Sequence, residues 1–207
     1  MKEVSASILS KKNIFKLIDD LNKSNTDYIH LDIMDNKFVP NKFLTVGETL
    51  KVLDKITKKI DAHLMVENPE LYIKKMALYN VSYITVHFEI KDYKKYIDMI
   101  KNYGFKAGIS IKPKTPVEAI YDLLNDISVV LIMSVEPGLS GQEFIPSTKE
   151  KIDKLRSEIK RRNLNVKISV DGGINNQVLD YVKNADILVS CSYVLEDYNN
   201  IDILKNA

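Results

Sequence analysis

The 207 residues are 45% hydrophobic and 28% charged, which suits one well-filled domain over residues 1–207. Thirty Lys and Arg against 28 Asp and Glu leave a formal charge of +2, and the Lys11-Lys12, Lys58-Lys59, Lys74-Lys75, Lys94-Lys95 and Lys160-Arg161-Arg162 groups are scattered, so no nucleic-acid surface is expected. The single cysteine, Cys191, excludes an internal disulfide and reads as an ordinary buried thiol. With no run of about eighteen apolar residues and no apolar signal region after Met1-Lys2-Glu3-Val4, a cytoplasmic protein without a membrane partner is expected.

Short apolar runs alternate with segments of helical spacing along the chain. The first strand is expected at Val4 to Leu9, followed by a helix whose apolar positions are Phe15, Leu17, Ile18 and Leu21. A second strand, Tyr28 to Ile33, leads into a long irregular connection from Met34 to Gly47 and a helix carrying Leu50, Leu53 and Ile56. Ile60 to Met65 is the third strand, and Asn68-Pro69-Glu70 starts a helix with proline in its first turn. Tyr83 to His87 follows, then a helix on Tyr93, Tyr96, Ile97 and Ile100, a strand at Lys106 to Ile111, and a helix start at Thr115-Pro116-Val117-Glu118.

Val129 to Met133 opens onto the second long connection, Ser134 to Pro146, and Ser147-Thr148-Lys149-Glu150 offers a capping hydroxyl with glutamate three residues on. Strands at Lys167 to Asp171 and Ile187 to Ser190 complete the set, and a short last helix uses Val194, Tyr198, Ile201 and Leu204. Eight strand-helix units of this length predict a closed parallel (β/α)8 TIM barrel. The turn Ser10-Lys11-Lys12 lacks the glycine that a dinucleotide-binding sheet places after its first strand.

Residues two apart on a strand share a face, so His30 and Asp32 project together, opposite Ile29, Leu31 and Ile33. His63 and Asp171 also close apolar runs, and all four fall at the strand ends where barrel enzymes build their sites. Two imidazoles and two carboxylates suit Zn2+ first, and the same mix of ligands also suits Fe2+, Mn2+ or Co2+. Each residue taken singly also reads as a hydrogen-bonded polar side chain at a strand end. The set of four, holding two of only three histidines in the chain, favours the metal. Asp35 reads as a turn former, and His87 as a neighbour of the site rather than a ligand.

Met34, Met65 and Met133 each close a strand, so besides filling the core they can line an apolar, water-poor pocket around the cation. The loop from Glu136 through Gly138, Leu139, Ser140 and Gly141 to Gln142, and the turn Asp171-Gly172-Gly173, are glycine-rich elements after the sixth and seventh strands. Glycine lets backbone N–H groups approach an anion, so the two together suggest a phosphorylated substrate.

From Ser5 to Val194 the chain resembles the ribulose-phosphate 3-epimerase family. The matching pieces are Ser5-Ala6-Ser7-Ile8-Leu9-Ser10, His30-Leu31-Asp32-Ile33-Met34-Asp35-Asn36, Phe38-Val39-Pro40-Asn41, His63-Leu64-Met65-Val66-Glu67, Leu131-Ile132-Met133-Ser134-Val135, Pro137-Gly138 with Gly141-Gln142, Phe144-Ile145-Pro146-Ser147-Thr148 and Val170-Asp171-Gly172-Gly173. The resemblance implies a (β/α)8 barrel that interconverts D-ribulose 5-phosphate and D-xylulose 5-phosphate with one divalent metal, commonly zinc or iron, and that forms dimers or hexamers. It implies metal ligands at His30, Asp32, His63 and Asp171, with Asp32 and Asp171 doubling as acid and base. It also implies substrate contacts from Ser7, His63, Met34, Met65 and Met133, and a phosphate site built from Gly138, Leu139, Ser140, Gly141, Gly172, Gly173, Cys191 and Ser192.

Three departures mark this chain. Lys42-Phe43 intervenes between Asn41 and Leu44, so the loop over the site is expected to be longer; Cys191-Ser192 replaces a Gly-Ser pair; and Gly138-Leu139-Ser140-Gly141 replaces a loop with an aromatic residue and a further glycine. Two rival readings are an epimerase for a related ketose phosphate such as allulose 6-phosphate and a non-catalytic phosphosugar-binding barrel. A decarboxylase of a related barrel carries an Asp-x-Lys-x-x-Asp run that Tyr83 to Glu89 lacks.

Overall fold

A computed structural model describes residues 1–10 and 13–207; Lys11 and Lys12, part of the glycine-free turn after the first strand, lie outside the described residues. Nine strands are described: β1 (Glu3–Ser7), β2 (Tyr28–Asp35), β3 (Lys42–Phe43), β4 (Lys59–Met65), β5 (Val81–His87), β6 (Lys106–Ile111), β7 (Val129–Met133), β8 (Lys167–Asp171) and β9 (Ile187–Ser190). Seven α-helices accompany them among the described residues: α1 (Ile14–Lys23), α2 (Val46–Leu53), α3 (Glu70–Met76), α4 (Tyr93–Asn102), α5 (Thr148–Arg161), α6 (Ser192–Glu196) and α7 (Asn200–Lys205), with 3-10 helices at Val117–Leu123 and Leu179–Tyr181.

Strands β1, β2 and β4 to β9 run parallel, and β1 pairs with both β2 and β9, which closes the sheet into an eight-stranded (β/α)8 TIM barrel. Strands buried on both faces read as near-continuous apolar runs, which is why these segments stood out in the sequence. On β2 the outward set Ile29, Leu31 and Ile33 is fully buried in the layer between sheet and helices. Each of these side chains contributes about 1.5–3 kcal/mol by leaving water. The N-terminal end of the barrel is filled by Tyr28, Tyr83, Val129 and Ile187, and the two tyrosine rings lie 5.7 Å apart.

The departures from expectation have local causes. Strand β1 ends at Ser7 rather than Leu9 because Ser7 Oγ accepts the Leu9 N–H at 3.1 Å. Strand β2 runs on to Asp35 because Lys42-Phe43, the inserted pair, forms β3 and pairs antiparallel with Met34 and Asp35. Phe15 is 44% exposed, so the buried stripe of α1 is Leu17, Ile18 and Leu21 alone. Helix α2 ends at Leu53, which leaves Ile56 in the turn that follows.

After Pro116 the chain forms a 3-10 helix, because Val117, Ile120 and Leu123 are three apart and a three-residue turn stacks them all on the core side. Ser147 makes no side-chain cap on α5; the N–H groups of Thr148, Lys149 and Glu150 are taken instead by the carbonyls of Ile145, Pro146 and Ser147. No helix among the described residues is long and apolar enough to cross a membrane.

Candidate metal centre and active site

Parallel register sets the site. Asp32 on β2 lies opposite His63 on β4, His30 lies opposite Asp61, and Met133 on β7 lies opposite Asp171 on β8. Side-chain alternation turns His30, Asp32 and His63 into the barrel mouth, so that one ligand atom from each of His30, Asp32, His63 and Asp171 falls within 4.8 Å of the others. His63 Nδ1 is 3.3 Å from Asp32 Oδ1 and 3.8 Å from Asp171 Oδ2, and His30 Nε2 is 3.4 Å from Asp32 Oδ1.

Both histidines are held from behind. His30 Nδ1 is 2.8 Å from Asp61 Oδ2, which also accepts from Ser5 Oγ at 2.9 Å. His63 Nε2 is 2.8 Å from His87 Nε2, and His87 Nδ1 is 3.1 Å from Glu89 Oε2. Ser7 Oγ donates to Asp32 Oδ2 at 2.7 Å.

The electrostatics separate the two aspartates. Burial opposes charge on Asp32, but the His30 and His63 imidazoles outweigh it and hold this carboxyl far below the usual carboxylate range. At Asp171 burial and the charge of Asp32 act together, and the carboxyl is pushed up to about 7. Burial also works against an imidazolium at His30, yet Asp32 and Asp61 overcome it and raise that pKa. At His63 burial prevails and lowers it.

These residues fit a divalent cation. His30 Nε2 is buried without a hydrogen-bond partner among the described residues, although its other nitrogen is bound to a carboxylate, the arrangement that orients a ligating imidazole. Two carboxylates, Asp32 buried and Asp171 partly so, are also crowded into one cluster where their mutual repulsion calls for positive charge. The donor set of two nitrogens and two carboxylates is that of a divalent-metal centre.

Above the cluster lies a narrow cleft, partly open to solvent. Asp32 and Asp171 reach it together with Ser7, and Met34, Met65 and Met133 line it, each with exposure of 2% or less. Gly138, Leu139, Ser140, Gly141, Gly172, Gly173, Cys191 and Ser192 form its rim. His63, expected against substrate, lies beneath the cavity wall with 0% exposure. Cys191 is half-buried at the rim rather than enclosed, and its thiol meets the Leu9 carbonyl at 3.1 Å.

The rim loops are interlocked. Gly172 and Gly173 have φ of 122° and 66°, and a Cβ on Gly173 would sit 2.5 Å from the Phe144 nitrogen. Ser134 Oγ donates to the carbonyls of Asp171 and Gly172, and Asn41 Nδ2 donates to the Gly138 carbonyl at 3.0 Å. Asp35 is the turn former expected of it, accepting from Lys37 and Phe38 N–H groups through one oxygen and from Glu67 through the other.

Sequence reasoning missed Asp61, Glu89, and the lining residues Leu9, Val135, Ile174 and Val189, whereas Pro137 and Gln142 belong to the glycine-rich loop it marked. Asp61 carried a usable signal: it stands two residues before His63 on the same strand face. Glu89 did not, because it lies past the end of β5.

Comparison with known proteins agrees with this geometry. The ribulose-phosphate 3-epimerase family profile matches residues 3–195. A ribulose-phosphate 3-epimerase of Methanocaldococcus jannaschii is 39% identical over 200 residues, covering 94% of this chain and 84% of that protein. A protein of Oryza sativa subsp. japonica described as the cytoplasmic isoform of ribulose-phosphate 3-epimerase is 36% identical over 192 residues, covering 88% of this chain and 82% of that protein. A mutant tryptophan synthase α-subunit from Pyrococcus furiosus superposes with a TM-score of 0.70 over 100% of this chain and 98% of its own, at 14% identity, a likeness of fold alone. The metal-type cluster thus sits in a chain that, over nearly all its length, belongs to the ribulose-phosphate 3-epimerase family and is an enzyme of the epimerase class.

Proposed function

We propose that this protein interconverts D-ribulose 5-phosphate and D-xylulose 5-phosphate by moving a proton at carbon 3. The observation that carries the reading is the placement of Asp32 and Asp171, oppositely tuned, at the floor of one cavity within a four-residue cluster. His30 through Nε2, His63 through Nδ1 and the two carboxylates would hold one divalent cation, Zn2+ by preference. When bound, that cation supplies positive charge beside the substrate oxygens on which negative charge develops.

The chain's own residues do the rest. A pair in which one aspartate is ionised and the other protonated has a base for carbon 3 on one side and an acid on the other, with the roles exchanged in the reverse direction. Ser7 keeps Asp32 in place through its 2.7 Å hydrogen bond. Met34, Met65 and Met133 exclude water and so strengthen every charge interaction at the floor. Gly138 to Gly141 and Gly172-Gly173 offer backbone N–H groups to the phosphate, with Cys191 and Ser192 closing the rim.

The proposal takes residues 1–207 as one catalytic domain, and the rice relative's description supports a cytoplasmic setting. The test is incubation with ribulose 5-phosphate in heavy water, with and without a chelator, following deuterium at carbon 3. Metal-dependent incorporation is expected. No incorporation with this sugar, but incorporation with allulose 6-phosphate, would move the substrate assignment; none with either would leave a binding barrel.

A further inference from the structure

His63 turns its Nδ1, not its Nε2, toward Asp32 and Asp171, whereas His30 presents Nε2. A neutral imidazole can ligate only through the nitrogen that lacks hydrogen, so the partner of the other nitrogen decides which one that is. For His63 that partner is another histidine, His87, which can donate or accept at Nε2 and so decides nothing by itself. The next link breaks the tie. Glu89 presents a carboxylate oxygen 3.1 Å from His87 Nδ1, and a carboxylate only accepts, so once a cation takes the place of the hydrogen that His63 Nδ1 would otherwise share with Asp32 Oδ1 at 3.3 Å, His87 carries its hydrogen on Nδ1 and accepts at Nε2 from His63.

Glu89 is itself anchored. Its second oxygen, Oε1, accepts from the Lys112 N–H at 2.8 Å and from Thr115 Oγ1 at 2.5 Å. The Phe38 ring lies 4.6 Å from the His87 ring, and the Lys112 ammonium sits 4.0 Å from the centre of Phe38, so the histidine pair is covered from solvent. Both His63 and His87 are fully buried, where an unmatched N–H or lone pair carries its full desolvation cost.

We infer that His87 and Glu89 are positioning residues, a two-member relay that holds His63 in the tautomer whose Nδ1 lone pair faces the cation site. The inference rests on reading His30, Asp32, His63 and Asp171 as a metal centre. It makes a specific statement about Glu89→Gln. The amide oxygen replaces Oε1 beneath Lys112 N–H and Thr115, and the amide NH2 then points at His87 Nδ1. His87 must accept there and donate at Nε2, which moves the His63 hydrogen onto Nδ1 and blocks the ligating nitrogen.

Three histidines in the chain make a direct test practical. In Zn2+-loaded protein labelled with 15N-histidine, two-bond proton-nitrogen correlations are expected to show His87 protonated at Nδ1 and His63 at Nε2. A His87 protonated at Nε2 overturns the inference without any variant. In parallel, Zn2+ affinity by chelator competition is expected to fall about 10- to 100-fold in Glu89→Gln, while the metal-free variant melts with the wild type. In a His87→Gln background, whose amide oxygen accepts from His63 without help from Glu89, adding Glu89→Gln should bring no further loss.

Wild-type Zn2+ affinity retained within twofold in Glu89→Gln, or fully additive losses in the double variant, would overturn the relay and leave the metal centre standing. Failure of the wild type to bind Zn2+ at all would bring down the metal centre, and the relay with it.

Discussion

His30 and Asp61, facing each other across β2 and β4, form a buried pair in which Nδ1 and Oδ2 are 2.8 Å apart. Asp61 thereby holds a hydrogen of His30 on the side away from the cluster, so that Nε2 is the nitrogen that would face a cation in the proposed metal centre. Replacing Asp61 with alanine should weaken divalent-metal affinity about 10- to 100-fold and, by orphaning a buried imidazole nitrogen, cost about 1–3 kcal/mol of stability. Chelator competition and thermal melts of the metal-free protein read the two effects separately; unchanged affinity would show that the pair is only structural.

Asp171→Asn should lower the rate of deuterium entry at carbon 3 by about 10²–10⁴-fold, the usual loss when a positioned acid or base is removed. Asp32→Asn should do the same. Near-normal exchange in either variant, assayed with metal saturating, would remove that residue from the acid-base pair.

The raised carboxyl of Asp171 predicts a pH signature in the metal-free protein. Its folded value of about 7 lies above the ordinary 3.8, so the native state holds a proton that the unfolded chain releases. The stability attached to that proton is fully present below about pH 4 and is lost as pH rises through about 7. Metal-free Asp171→Asn should therefore melt above the wild type at pH 8, with the gap closing toward pH 4. Melts in a pH series check this, and a gap that widens in acid would contradict the assignment.

Gly173→Ala introduces a Cβ 2.5 Å from the Phe144 nitrogen at a φ of 66°. Backbone on both sides must shift, at about 1–3 kcal/mol, or a fall in Tm of about 2–4 °C for each kcal/mol in a chain of this size. Because Gly173 stands at the rim and not at the floor, KM should rise more than kcat falls. Steady-state kinetics with ribulose 5-phosphate distinguish this from a general loss of active protein.

The strands were legible in the sequence because a barrel buries both faces of each one: β6, β7, β8 and β9 have the bounds that their apolar runs suggest, and β2 shows the inward set His30, Asp32, Met34 against the outward Ile29, Leu31, Ile33. The helices were less legible where local chemistry overrode spacing, as at Pro116, where residues three apart fit a tighter turn than the α-helix. At the site, alternation and position at strand ends brought out the four clustered residues. Of the residues behind them, Asp61 shows in the sequence only as the same-face neighbour two before His63, and the link from Glu89 to His63 through His87 depends on distances that no spacing rule encodes.

Tyr28, Tyr83, Val129 and Ile187 plug the N-terminal end of the barrel, so that among the described residues the cluster is approached from the opposite mouth. In the proposed reaction, a sugar phosphate lodged at that mouth would block the route by which bulk solvent reaches Asp32 and Asp171, and a hydrogen taken from carbon would stay with its aspartate until the occupant departs. Isotope traffic and product release would then be gated by the same passage.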